Sequence, residues 1–255
     1  MSMIKRCKVY GLALIALYVV FRLFVCLKYT ILTGSMLPTI ELEESVYVWK
    51  PLYGWRVYNF RSKRPKQFYR IHGIRDIVPG DIILFNLPYV GNNIEKITFN
   101  SKEEYCKRVL GTPGDRIGAV DGHCWNDRHL KPVGVLEEQE RLRWMFDDFF
   151  RMINTYEVIP YSDSDWNIKN WGPVIVPAKG MTMSLDVFTR ELYRKVIEYE
   201  TGRPLDDSIT EYTFRKDYYF AVGDNAMSSF DSRYWGFIPE DFIIGIVGGR
   251  RFKNK

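Results

Sequence analysis

From Val9 to Leu27 the chain runs 19 residues with a single charge, Arg22. A helix crossing a bilayer needs about 20 predominantly apolar residues. Arg22 stands near the far end of the run, where its long stem reaches an interface. A cleavable leader would have a shorter apolar core followed by an A-x-A-like site. Here Lys28-Tyr29-Thr30-Ile31-Leu32 comes next, and it offers no such site. The run therefore predicts one uncleaved N-terminal transmembrane helix, an anchor over residues 9–28. Lys5, Arg6 and Lys8 precede it and only Lys28 closely succeeds it. That bias places residues 1–8 in the cytoplasm and the rest of the chain on the outer face.

No second apolar run of this length exists, and the remainder of the chain reads mainly as β-structure. Ser45–Trp49 alternates, Asp81–Phe85 is a short apolar run before Asn86 and Pro88, and Val174–Val176 and Tyr218–Val222 read alike. Phe242–Val247 carries Gly245 inside it, which predicts a bulge. Two segments have apolar residues at helical spacing, Val135–Phe150 and Val187–Glu200, the second with Asp186 as N-cap. Val78-Pro79-Gly80-Asp81, Val176-Pro177-Ala178-Lys179-Gly180 and Ile238-Pro239-Glu240-Asp241 read as turns at strand ends. Composition shifts near 119 and 213, and an aromatic and acidic stretch lies between. The expected plan is an antiparallel β-sheet core of residues 29–118 and 213–255, with an α+β cap of residues 119–212 inserted into it.

Net charge is +5, with no basic stripe interleaved with aromatics, so nucleic acid is not an expected partner. The four cysteines, at 7, 26, 106 and 124, form no C-x-x-C pair. Cys7 and Cys26 read as free, and a Cys106–Cys124 disulfide is left open for an extracytoplasmic chain. His123, Cys124 and His129 match no standard zinc spacing, so no metal is expected.

Three stretches carry chemistry. Thr33-Gly34-Ser35-Met36-Leu37-Pro38-Thr39 presents a serine just beyond the apolar run. Tyr105-Cys106-Lys107-Arg108-Val109-Leu110 holds a lysine ahead of a Gly-Thr-Pro-Gly turn. Gly223-Asp224-Asn225-Ala226-Met227-Ser228-Ser229-Phe230-Asp231-Ser232-Arg233 is a polar cluster. A serine hydroxyl needs a base to become a nucleophile. No G-x-S-x-G elbow surrounds Ser35, and His72, His123 and His129 stand in no triad context. A lysine serves as base only when neutral, and burial among apolar groups brings its pKa down from about 10.4. On a strand, Lys107 would point opposite to Cys106 and Arg108, facing inward while Arg108 stays solvated. On residues alone, a Lys-Arg pair more often marks a solvated surface.

In order and wording the three stretches resemble the motifs of type I signal peptidases, membrane-bound Ser-Lys proteases. The resemblance covers roughly residues 30–118 and 213–250. It implies that Ser35 is the nucleophile and Lys107 the general base. It further implies that the Ser35 N–H and the Thr33 hydroxyl form the oxyanion hole. Ser229 would orient the lysine, and Asp231 and Arg233 would form a supporting ion pair. Ile31, Leu32, Met36 and Tyr105 map to positions that line shallow pockets for small side chains. The resemblance implies cleavage after an A-x-A-like sequence, in signal peptides of exported preproteins, at the inner (cytoplasmic) membrane, with no cofactor. Contact with secretion machinery is left open.

The chain departs from the family at Ala226-Met227, where a basic and an acidic residue are common. It also offers two hydroxyls, Ser228 and Ser229, for one role, and places Cys106 where an aliphatic residue is common. Substrate is expected as an extended strand on exposed sheet edges, at Asp81–Phe85 and the segment leading to Lys107. Membrane lipid is an expected partner, with Tyr53 and Trp55 as interface aromatics. The alternatives are a pilin or conjugation-type maturation peptidase of the same family, a self-cleaving Ser-Lys repressor, and a non-catalytic membrane scaffold. The anchor and the lack of a DNA-binding motif argue against the repressor. The presence of both Ser35 and Lys107 argues against the scaffold.

Overall fold

The computed structural model describes residues 3–58, 68–145, 166–248 and 252–253. The chain starts as a helix, Met3–Phe24, on which Tyr10, Leu12, Leu14, Ile15 and Leu17 are exposed. Among the described residues no helix is long and apolar enough to cross a membrane. The helix also ends before the expected boundary at 28: Cys26–Lys28 already belong to a strand. Local hydropathy does not register that change. It comes from pairing with a strand that lies some twenty residues on.

The strands run in order: β1 (Cys26–Thr30), β2 (Glu44–Trp49), β3 (Gly54–Tyr58), β4 (Phe68–His72), β5 (Ile82–Asn86), β6 (Glu104–Gly111), β7 (Arg116–Val120) and β8 (His123–Asn126). Then come β9 (Trp171–Ile175), β10 (Thr182–Ser184), β11 (Glu211–Thr213), β12 (Tyr218–Val222), β13 (Ile238–Pro239), β14 (Ile243–Val247) and β15 (Phe252–Lys253). The main sheet has the order β1-β2-β14-β5-β6-β12-β13, with β15 also on β2. Its described pairings are antiparallel. The architecture is thus mainly β, as expected. A second sheet has the order β8-β7-β9, and β3–β4 and β10–β11 form two-stranded ribbons.

Alternation sets what each face buries. On β5, Ile83 and Phe85 enter the large cluster with Val109, Phe220 and Phe242, whereas Leu84 turns to a smaller one with Ile31, Met36, Ile40, Val46, Val48 and Cys106. Burying each such side chain contributes about 1.5–3 kcal/mol. The register of β14 on β5 shifts between Ile243 and Gly245, the bulge that the glycine predicts. β7 runs unbroken through 118–119, and Ile117, Trp171, Val174 and Tyr193 join the same large cluster as β12. Trp171 stacks on Phe220 at 5.2 Å between centroids. Among the described residues the middle of the chain therefore shares the core of the outer parts.

The helix Val187–Thr201 starts at Asp186, which caps it reciprocally with Thr189 in a capping box. The other expected helix is shorter, Leu136–Arg143; residues 146–150 of that expectation lie outside the described residues. None of Cys26, Cys106 and Cys124 is in a disulfide, so the Cys106–Cys124 bridge does not exist. Cys106 faces the smaller cluster from β6, while Cys124 packs against the large one from β8. Tyr53 is buried, not interfacial: its hydroxyl meets that of Tyr219 at 2.8 Å and the Arg70 guanidinium stacks on its ring at 4.3 Å.

Candidate active site

Ser35 sits in a single 3-10 turn, Gly34–Met36, directly after the edge strand β1 has turned. Lys107 is on β6, in register with Ile83 of β5. Both side chains are buried, 5% and 3% exposed, and the Lys107 Nζ donates to Ser35 Oγ. Burial lowers the Lys107 pKa to about 8, with the charge of Asp231 pulling partly the other way. The Tyr105 ring lies 5.4 Å from Nζ. The Thr33 and Ser35 hydroxyl oxygens are 3.3 Å apart.

Beneath this pair lies a closed polar network. Arg233 donates to Asp231 through Nε and a terminal nitrogen at 2.8 and 2.7 Å, and both residues are almost wholly buried. Ser229 Oγ donates to the same carboxylate at 2.5 Å, and the Gly223 N–H does so at 2.8 Å. Burial opposes the Asp231 charge, but Arg233, joined by the Lys107 charge and the Gly223 N–H, holds its pKa below the ordinary value. Ser229 is buried and Ser228 exposed, so Ser229 is the hydroxyl inside the network. Its described partner is Asp231. Gly223 has to be glycine: a Cβ there would stand 2.2 Å from Ser229 Oγ and 2.5 Å from the Ser35 carbonyl oxygen.

A cleft opens beside the pair, lined by Tyr29, Ile31, Leu32, Thr33, Glu104 and Tyr105 among others. Met36 is not in it. It is fully buried with Ile40 and Cys106, because the 3-10 turn directs it into the smaller core. Nor does β5 offer an edge: it is hydrogen-bonded to β14 on one side and β6 on the other. β6 is different. Its partner β12 begins only at Arg108, so Glu104–Lys107 pair with β5 alone and leave their second edge toward the cleft. There the Tyr29 hydroxyl donates to the Glu104 carbonyl at 2.8 Å.

Two residues had no role assigned from sequence. Arg108, expected in solvent, is gripped by Asp224 through two bonds of 2.7 Å, with its side chain 16% exposed. Asn225 reaches the serine turn: its N–H donates to the Ser35 carbonyl at 3.1 Å and its Nδ2 to the Gly34 carbonyl at 3.2 Å. Among the described residues no group of three or more His, Cys, Asp or Glu stands where it could hold a metal ion.

The family described as signal peptidase, peptidase S26, matches residues 3–250. Signal peptidase I of Buchnera aphidicola subsp. Baizongia pistaciae is 26% identical over 243 residues, covering 89% of this chain and 70% of that protein. Signal peptidase I of Pseudomonas aeruginosa is 25% identical over 240 residues, covering 92% and 65%. That of Rickettsia typhi is 25% identical over 235 residues, covering 91% and 74%. With the match spanning nearly all of the sequence, the chain belongs to the signal peptidase family of S26 peptidases.

Proposed function

We propose that this peptidase removes N-terminal signal peptides from exported preproteins by a Ser35–Lys107 dyad. The observation that carries the reading is the buried Lys107 Nζ on the buried Ser35 hydroxyl at the floor of a cleft. Neutral Lys107 takes the Ser35 proton as Oγ attacks the scissile carbonyl. The developing oxyanion is held by the Ser35 N–H and the Thr33 hydroxyl. Lys107, now protonated, gives its proton to the leaving amine. It then deprotonates the water that hydrolyses the acyl-enzyme. Asp231, Arg233 and Ser229 hold the floor beneath the lysine. Substrate enters as an extended strand along the open edge of Glu104–Lys107, facing Ile31–Thr33, with small side chains directed at Ile31, Leu32 and Tyr105.

The reading places residues 1–8 in the cytoplasm and the apolar part of the Met3–Phe24 helix, from Val9 on, in the inner membrane, with residues 29–118 and 213–255 as the catalytic core and 119–212 as an insertion packed on the same hydrophobic core. The exposed apolar side chains of that helix support an anchor. Ser35 comes eleven residues after Phe24, at most about 36–40 Å of extended chain, so the dyad works near the lipid surface. Trp55, half-buried, donates from Nε1 to the Phe24 carbonyl and is the aromatic next to that surface. The test is cleavage of a panel of preproteins with A-x-A sites by the purified full chain, with Ser35→Ala as control. The expected result is release of the mature N-terminus by the unaltered chain only. Cleavage by Ser35→Ala at the same bond would reject the dyad.

A further inference from the structure

We propose that Asn225 is a positioning residue for the oxyanion hole: its side-chain amide fixes the plane of the Gly34–Ser35 peptide and so aims the Ser35 N–H. The inference rests on the proposed role of this N–H as an oxyanion donor. A trans peptide is planar, and its C=O and N–H point in opposite directions. Holding the Gly34 carbonyl oxygen therefore sets where the Ser35 N–H points. That oxygen accepts two bonds, one per lone pair: the local Leu37 N–H at 3.2 Å, which closes the 3-10 turn, and Asn225 Nδ2 at 3.2 Å. Only the second ties the turn to a distant part of the chain. The next peptide is held by the same residue, since the Asn225 N–H donates to the Ser35 carbonyl at 3.1 Å. Both peptide planes that flank the nucleophile thus bear on one asparagine.

The asparagine is itself anchored. Asp224 is clamped by Arg108, the residue directly after Lys107 on β6. Gly223 is pressed against Ser229 and the Ser35 carbonyl with no room for a side chain. Ser228 N–H closes the turn onto the Asn225 carbonyl at 3.0 Å. Asn225 therefore links the strand that carries the base to the turn that carries the nucleophile. A bonded carbonyl also makes the N–H of the same amide a better donor.

The experiment uses the purified full chain and Asn225→Ala, which keeps the backbone N–H and loses only the amide. A signal-peptide substrate gives kcat and KM. A peptide aldehyde, whose adduct places an oxyanion in the hole, and the same peptide with a reduced scissile bond, which has no carbonyl there, serve as probes. Direct donors contribute about 10²–10³ in kcat, so misaiming one is expected to lower kcat about 10- to 100-fold. KM stays within about threefold, aldehyde affinity falls by the factor lost in kcat, and reduced-peptide affinity and the pH profile hold. Unchanged kcat, or an equal loss for both probes, overturns the proposal. If Asn225→Ala melts below assay temperature, the isosteric Asn225→Asp is measured in its place; failure of both to fold makes the residue structural and overturns the proposal too. Ser35→Ala run alongside separates the two readings. Full activity in it removes the dyad, whereas its inactivity beside an unimpaired Asn225→Ala removes only the positioning role.

Discussion

The Lys107 and Arg233 sites are neighbours on one acidic group, yet their cations meet opposite fates. Both side chains are buried, 3% and 2% exposed, and both interact with Asp231. Arg233 holds that carboxylate through two bonds and remains a cation. Lys107 has a serine hydroxyl as its hydrogen-bond partner and feels Asp231 only at a distance, so burial lowers its pKa to about 8. The difference teaches that burial alone does not make a base. A buried cation with a bidentate carboxylate is structural, because the pair compensates its desolvation. A buried cation offered only a hydroxyl gives up its proton near neutral pH, and that one can work as a base.

The contrast breaks first at the dyad. Ser35→Ala and Lys107→Ala are each expected to reduce kcat by at least about 10⁴-fold, and the double variant is expected to be no worse than either, because the two act as a unit. Single-turnover cleavage with folding monitored by circular dichroism checks this. A folded Lys107→Ala with near-normal turnover would falsify the dyad.

On the structural side, Asp231→Ala strands the Arg233 charge and is expected to cost about 3–5 kcal/mol in urea unfolding. Asp231→Leu/Arg233→Met, which removes both charges, is expected to recover much of that loss. A double variant no more stable than Asp231→Ala would mean that the stranded charge is not the cause.

The pH dependence sharpens the comparison. Only neutral Lys107 accepts the proton, so kcat/KM is expected to rise with pH through an apparent pKa of about 8. The charge of Asp231 raises that pKa, so Asp231→Asn is expected to move the limb to lower pH, read in the folded fraction. Lys107 also binds its proton less tightly folded, at about 8, than at its ordinary 10.5. The unfolded state holds more protons in between, so stability is expected to rise with pH from about 8 toward 10.5. Lys107→Met is expected to flatten that slope, and an unchanged slope would place its source elsewhere.

The smallest effect is expected away from both cations. Trp55→Ser is expected to weaken flotation of the full chain with liposomes slightly and to leave hydrolysis of short soluble peptides unchanged. A loss of peptide hydrolysis would assign Trp55 to the core rather than the lipid surface.

Local chemistry was readable from the sequence. Tyr218–Val222 has the strand composition it forms, Gly245 marks the bulge, and Asp186 starts its helix, each through forces acting within a few residues. Ser35 and Lys107 could be proposed as a dyad because a serine without a histidine context points to a lysine base, and the resemblance of the motif wording singled out this lysine. Long-range relations were not readable. That β5 is enclosed by β14 and β6, that Tyr53 and Met36 are core, and that Asp224 captures Arg108 across 116 residues all depend on pairings between distant segments. Asn225 shows this most clearly, because its bond to Gly34 spans 191 residues. A sequence specifies propensity and polarity at each position. Which buried polar groups meet is decided when the sheet closes, since each must then find a partner from whatever the topology has brought beside it.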